Sequence, residues 1–182
     1  MRPSLVIVGL GNPGKNYENT RHNAGFRAID VLSQEFGAGE WQPKDKFHAH
    51  IQEARVVTVP VLLVKPQTYM NRSGEAVQKL VDFYKLNHAE QLLILCDDID
   101  LPLGELRLRK KGGPGTHNGL KSIVHVFGED FPRLRIGLGN HPPAVDLAAW
   151  VLSVFPKDDA HAIDTSLATL PDMVRQFVLG DA

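Results

Sequence analysis

The chain has 182 residues, of which 43% are hydrophobic and 23% charged, with a formal net charge of -1. That is enough for one domain with a proper core, and it excludes wholesale disorder. The near-neutral balance argues against a protein that coats nucleic acid non-specifically, and no apolar run approaches the roughly 20 residues that cross a bilayer.

The N-terminus, Met1-Arg2-Pro3-Ser4, leads into a short apolar run without the core and cleavage site of a signal peptide. The one cysteine, Cys96, has no internal partner, which fits a reducing compartment. The expected location is the cytoplasm.

In chain order, residues 4–10 read as a buried strand, rich in Val and Ile and ended by glycines. Phe26, Ala28, Ile29, Leu32 and Phe36 then recur at helical spacing, with Gly37 as the stop. Residues 47–59 and 60–65 form two strands of a hairpin. Ala76, Val77, Leu80, Val81 and Tyr84 mark one face of a helix. A second buried strand over 91–96 ends in an acidic turn, and 106–110 alternates apolar and basic residues as a further strand. A helix follows Asn118, with Leu120, Ile123, Val124 and Phe127 on one side. Residues 133–138 make another strand, and 158–178 a helical tail. Strands alternating with helices predict an α/β sandwich with a mostly parallel sheet and one antiparallel portion, in a single domain over 1–182.

Gly9-Leu10-Gly11-Asn12-Pro13-Gly14 matches the GxGxxG pattern of dinucleotide sites. Its context fails that reading. Pro13 and the polar stretch 15–20 separate the glycines from the next helix, and no second strand ends in an acid about 20 residues on. The glycines instead shape a loop that leaves Asn12 at the end of a strand, where open α/β sheets place their sites.

Thr20-Arg21-His22-Asn23-Ala24-Gly25 puts His22 at a helix start, away from the core. Cys96-Asp97-Asp98-Ile99-Asp100 follows a buried strand, so Asp97 is partly buried and needs a partner. A histidine giving one ring N–H to Asp97 is fixed in tautomer and becomes a better base at its other nitrogen. The same acids are an alternative Mg²⁺ site. No phosphate-cradling loop accompanies them, and the 101–104 turn exposes the later acids. Asn71 and Asn118 each stand just before a helix, where N-capping is the ordinary use of asparagine. The second follows Gly112-Gly113-Pro114-Gly115, a loop with no evident structural duty. With Asn12 and the His–Asp pair, they make a neutral hydrogen-bonding pocket suited to an amide- or ester-bearing substrate. No GxSxG elbow surrounds any serine, and Cys96 ends an apolar strand as a core residue rather than a thiolate. Between 105 and 135 there are seven Lys or Arg against three Asp or Glu, and between 136 and 182 two against six. That patch is either a solvated face or a grip for a few phosphates.

GLGNPG, TRHNAG, KPQTYMNRSG, DDIDLPLG, GGPGTHNGLKS and FPRLRIGLG are together similar, in order and spacing, to the bacterial-type peptidyl-tRNA hydrolases, over nearly the whole chain. The resemblance implies one globule with a twisted mixed sheet and helices on both faces. It also implies hydrolysis of the ester joining a peptide to the 3′-terminal ribose of tRNA, by a monomer without metal or cofactor. The family's catalytic histidine falls on His22, its acidic partner on Asp97, and its substrate-positioning asparagines on Asn12, Asn71 and Asn118. Tyr17, Tyr69 and His117 join the substrate-binding set by the same resemblance. Arg135, with Arg109 where relatives often have lysine, falls on positions that grip the tRNA 5′-phosphate. Contacts of a basic C-terminal tail with RNA are not expected here. The rival reading is a non-catalytic RNA-binding partner on the same scaffold.

Overall fold

The computed structural model describes residues 1–181; Ala182, the last residue of the expected domain, lies outside them. A run of five buried residues, Leu5–Gly9, forms strand β1 at the middle of the molecule. Its parallel neighbours are β4 (Val59–Pro66) and β5 (Leu92–Asp98). β7 (Arg133–Gly137) adds to β5, also parallel. The edges are antiparallel: β3 (Ala49–Val56) and β2 (Gln42–Lys44) beyond β4, and β6 (Leu106–Arg109) beyond β7. The sheet order is β2-β3-β4-β1-β5-β7-β6.

Strands buried on both faces read as continuous apolar runs, and alternate side chains sort into two cores. Leu5 and Ile7 of β1, with Leu93 and Leu95 of β5, face helices α1 (Ala24–Phe36), α5 (Lys157–Leu167) and α6 (Leu170–Leu179). Val6 and Val8, with Leu92, Ile94 and Cys96, face α2 (Ser73–Tyr84) and α3 (Asn118–Phe127). The expected α/β sandwich, with a mostly parallel centre and helices on both faces, is the fold observed.

The differences are local. The helical tail is two helices, because Pro171, in the first turn of α6, has no N–H with which to continue α5. The short helix α4 (Leu147–Val151) and edge strand β2 carry too little periodicity to be read from sequence. The hairpin turns through Val57, whose φ of 58° lies in a region that glycine or asparagine usually fills.

Chain direction places the site. From β1 the chain passes to β4 on one side, then from β4 through α2 to β5 on the other. The carboxyl ends of β1, β4 and β5 therefore border a crevice at a topological switch point. At its floor the start of α1 touches the sheet. A Cβ on Gly9 would collide with the carbonyl of Gly25, and one on Gly25 with the backbone of Leu10 and Leu95. Gly9 and Gly25 thus serve close helix–strand packing.

Candidate active site

Strand parity puts Asp97 on the α1 side of the sheet, in line with Leu93 and Leu95. It is 3% exposed, more deeply buried than the sequence suggests. His22 sits in a 3-10 turn, Arg21–Asn23, that leads into α1. It too is buried, at 8% exposure, whereas a helix start suggested an open position. Its Nδ1 lies 2.9 Å from Asp97 Oδ2 and 3.1 Å from Oδ1. A carboxylate only accepts, so Nδ1 carries the hydrogen and Nε2 of the neutral ring holds the free lone pair.

Asp97 takes a second histidine. His117 Nε2 is 3.0 Å from Asp97 Oδ1, while its Nδ1 accepts the N–H of Leu120 at 3.2 Å. His117 is therefore the N-cap of α3, the place expected of an asparagine. Burial works to raise the Asp97 pKa, but its two imidazole partners, His22 and His117, overcome it and hold the carboxyl well below the usual carboxylate range. Burial works to lower the His22 pKa, and Asp97 outweighs it, leaving the imidazole above its ordinary value. Burial pushes the Cys96 thiol up, consistent with a core residue rather than a nucleophile.

His22, Asp97 and His117 are close enough to suggest a metal site, with one ligand atom each within 4.8 Å of the others. The proton count opposes it. A neutral His117 bound to metal through Nε2 would carry its hydrogen on Nδ1, pointing at the Leu120 N–H. The Mg²⁺ alternative also fails on geometry. Asp97 is taken by histidines, Asp98 pairs with Arg135 at 3.3 Å, and Asp100 is exposed, so the acids share no centre.

Asn12 is pinned from three sides. Its N–H donates to Asn23 Oδ1 at 2.8 Å, its carbonyl accepts from Asn23 Nδ2 at 2.9 Å, and its Oδ1 accepts from the Met70 N–H at 2.8 Å. That last bond fixes the carboxamide orientation, so the Asn12 NH₂ is left for a ligand. Asn23 stands next to His22 and was not singled out in the sequence. Tyr69, at φ 64° and ψ 160°, holds a strained backbone that precedes the Met70 N–H.

The cavity over the dyad, about 130 Å³, is lined by His22, Asp97, His117, Asn118, Arg135 and Leu147 among others. Asn12 lies outside it, on an adjoining groove with Asn23, Phe26 and Lys65. Asn71, in the 3-10 turn Met70–Arg72, and Asn118, the first residue of α3, are both exposed and cap no helix. Tyr17 and the exposed Tyr69 meet edge to face, ring centroids 6.3 Å apart.

Arg135 is half-buried, donating to Asp98 and to the Gly113 carbonyl at 3.4 Å, so it is less free than a bare phosphate grip. Arg109 is exposed at the sheet edge. The β6–β7 register sets Arg107 opposite Arg135 and Arg109 opposite Arg133, so four guanidinium groups share one face. Arg133 is fully buried, stacked on Phe131 and bonded to the carbonyls of Glu129, Phe131 and Gly113. Its work is to hold the glycine loop. Arg107 was missed, although the Leu-Arg-Leu-Arg alternation signals it.

A further anchor escaped the sequence reading. Arg21 stacks on Trp150 at 4.5 Å and donates to Ser153 Oγ at 2.5 Å, beside a backbone bridge between Thr20 and Val154. It ties the turn bearing His22 to α4 and the segment after it, and Leu147, Ala148 and Val151 of α4 wall the cavity.

The family model described as peptidyl-tRNA hydrolase matches residues 6–182. The chain belongs to the peptidyl-tRNA hydrolase family. It is 45% identical over 170 residues to the peptidyl-tRNA hydrolase of Chloroflexus aurantiacus, covering 93% of this chain and 89% of that protein. It is 49% identical over 166 residues to that of Alkaliphilus oremlandii, covering 91% and 86%. The crystal structure of the Acinetobacter baumannii peptidyl-tRNA hydrolase superimposes with a TM-score of 0.92 at 37% identity, over 99% of this chain and 91% of that one. The resemblance carried by the six motifs is thereby borne out, and so is the fold it implied.

Proposed function

We propose that this peptidyl-tRNA hydrolase family member cleaves the ester between a peptidyl, or N-acyl-aminoacyl, group and the 3′-terminal ribose of tRNA, with His22 as general base. The observation that carries the reading is the buried Asp97–His22 bond, which leaves His22 Nε2 as a free lone pair beside a cavity. In this reading Nε2 takes a proton from water as the water oxygen attacks the ester carbonyl. The tetrahedral intermediate then collapses, the ribose oxygen leaves with the proton returned by His22, and the products are tRNA and a carboxylic acid that gives its remaining proton to solvent. A positioned general base is worth roughly 10² to 10⁴-fold.

The Asn12 role differs from the simplest expectation, in which it helps hold the water. With Oδ1 taken by the Met70 N–H, only its NH₂ is available, and a donor suits the developing oxyanion better than it suits a nucleophile. One such donor is worth about 10² to 10³-fold. Asn71 and Asn118, exposed and not spent on capping, read the first peptide group, with Tyr17 and Tyr69 alongside. A site built to hydrogen-bond that group rejects a free amine, which leaves its polar atoms unpaired. Arg109 and Arg135 take phosphate at the acceptor end, including the 5′-phosphate, with Arg107 as neighbour.

No helix among the described residues is long and apolar enough to cross a membrane. Both cores flank one sheet, which supports one domain, and His22, Asp97 and His117 meet within one chain, in keeping with a monomer. We place it with its substrate in the cytoplasm.

The test is release of N-acetyl-aminoacyl groups from tRNA in EDTA, for wild type and His22→Ala, with non-acetylated aminoacyl-tRNA as control. The reading expects cleavage of the acetylated substrate alone, lost in the variant. Tight tRNA binding without cleavage would make the chain an RNA-binding partner instead.

A further inference from the structure

His117 was grouped with the substrate contacts, yet both its ring nitrogens are engaged by protein. Nδ1 accepts the Leu120 N–H at 3.2 Å, so Nε2 bears the hydrogen, and that hydrogen points at Asp97 Oδ1 3.0 Å away. The backbone N–H settles the tautomer, because an amide cannot donate to a protonated nitrogen. Asp97 therefore receives two imidazole N–H groups, from rings whose centroids are 4.8 Å apart. The two rings arrive from opposite faces of the sheet, His22 from the turn before α1 and His117 from the head of α3.

Building on the hydrolase reading, we infer that His117 is a positioning residue, a fixed neutral donor that aims the Asp97 carboxylate at His22 while capping α3. Two consequences follow from sharing one carboxylate. With the His117 hydrogen on Oδ1, the carboxylate is fixed in rotation, and Oδ2 is left to the shorter of the two His22 contacts. A second donor also draws on the carboxylate charge, so Asp97 stabilises the His22 imidazolium less than it would alone. The device keeps His22 oriented without making its protonated form too favourable for a base. The charged groups nearby, Asp98 and Arg135, bond to each other and, through Arg135, to the Gly113 carbonyl rather than to either ring. Capping and donation use different ring nitrogens, so the two roles are separable.

Asparagine places its amide near the position of Nδ1, and glutamine near that of Nε2. His117→Asn keeps an acceptor for the Leu120 N–H, as a good N-cap does, but falls short of Asp97. His117→Gln keeps a donor for Asp97 and gives up the cap. On N-acetyl-aminoacyl-tRNA, His117→Asn is expected to melt within a few degrees of wild type. Its kcat should fall on the order of 10-fold or more, the usual cost of an outer-shell partner, with KM within about twofold. The acid limb of its kcat/KM profile should move to higher pH. His117→Gln is expected to recover most of kcat while melting lower. Wild-type kcat and an unmoved acid limb in His117→Asn would reduce His117 to a helix cap. A raised KM with an unmoved limb would make it a substrate contact, and either result overturns the inference. Imidazole ¹⁵N spectra of the wild-type protein test the arrangement without any substrate. A His117 signal protonated at Nδ1 refutes it even if the chain proves to be no hydrolase, and a signal protonated at Nε2 upholds it.

Discussion

Around Asp97 both carboxylate oxygens are matched by imidazole donors, whereas Asn71 and Asn118 stand exposed and are used by no helix cap. The two regions are built oppositely. The first is fixed before any substrate arrives, which general-base chemistry requires, since a base must be held in geometry and tautomer. The second offers unpaired polar groups to solvent, which costs little there and leaves them free to pair with a ligand. Asn12 stands between these extremes. Its backbone and Oδ1 are locked like the dyad, and its NH₂ is left open like the outer asparagines.

The contrast is broken hardest at the dyad. His22→Ala or Asp97→Asn is expected to lower kcat by roughly 10² to 10⁴-fold, with tRNA affinity retained, as filter binding beside steady-state kinetics would show. Comparable activity in either variant would remove the general base.

Asn23→Ala should come next. It removes both bonds that hold the Asn12 peptide, so unfolding in urea is expected to show a loss of about 1–3 kcal/mol, with kcat lowered alongside. Unchanged kcat would mean that the Asn12 placement is immaterial.

Asn71→Ala and Asn118→Ala probe the other side of the comparison. Both positions are exposed, so stability should stay within about 0.5 kcal/mol of wild type. The preference for N-acetyl-aminoacyl-tRNA over aminoacyl-tRNA should narrow, read as the ratio of kcat/KM values. A large loss of stability would assign these residues to the scaffold.

The smallest effect belongs to the arginines. Two phosphate contacts on single-stranded ends give a slope of log affinity against log salt near about -1.4, and Arg109→Ala should flatten it by roughly 0.7. A much steeper wild-type slope would mean a larger RNA footprint than this edge provides.

Much of this architecture was legible because its signals are strong and local. Five buried residues in β1, the helical spacing through α1 and the acidic turn after β5 fix element type and direction. Direction in turn brings Asn12, His22 and Asp97 to one end of the sheet. What stayed hidden depends on atoms meeting across the chain. Nothing in the spelling of Asn23 shows that its amide clamps the peptide of Asn12, 11 residues earlier. The tautomer of His117 is set by the Leu120 N–H, which becomes a free donor only once α3 has formed. Arg133 and Arg135 look alike in sequence, and strand register makes one a buried brace and the other a half-open neighbour of the cavity. Arg21 reads as a basic surface residue until Trp150 arrives from a distant short helix.

The pH profile of kcat/KM, for wild type and Asp97→Asn, tests the central claim most directly. Asp97 holds the His22 pKa above its ordinary value of about 6.5, and His22 must be unprotonated to act. Wild-type kcat/KM should therefore fall, as pH is lowered, through an apparent pKa above about 6.5. In Asp97→Asn the carboxylate charge is gone while burial remains, so the limb of the residual activity should move to lower pH. A wild-type limb at or below the ordinary histidine value, or one that Asp97→Asn leaves in place, would contradict a His22 base governed by Asp97.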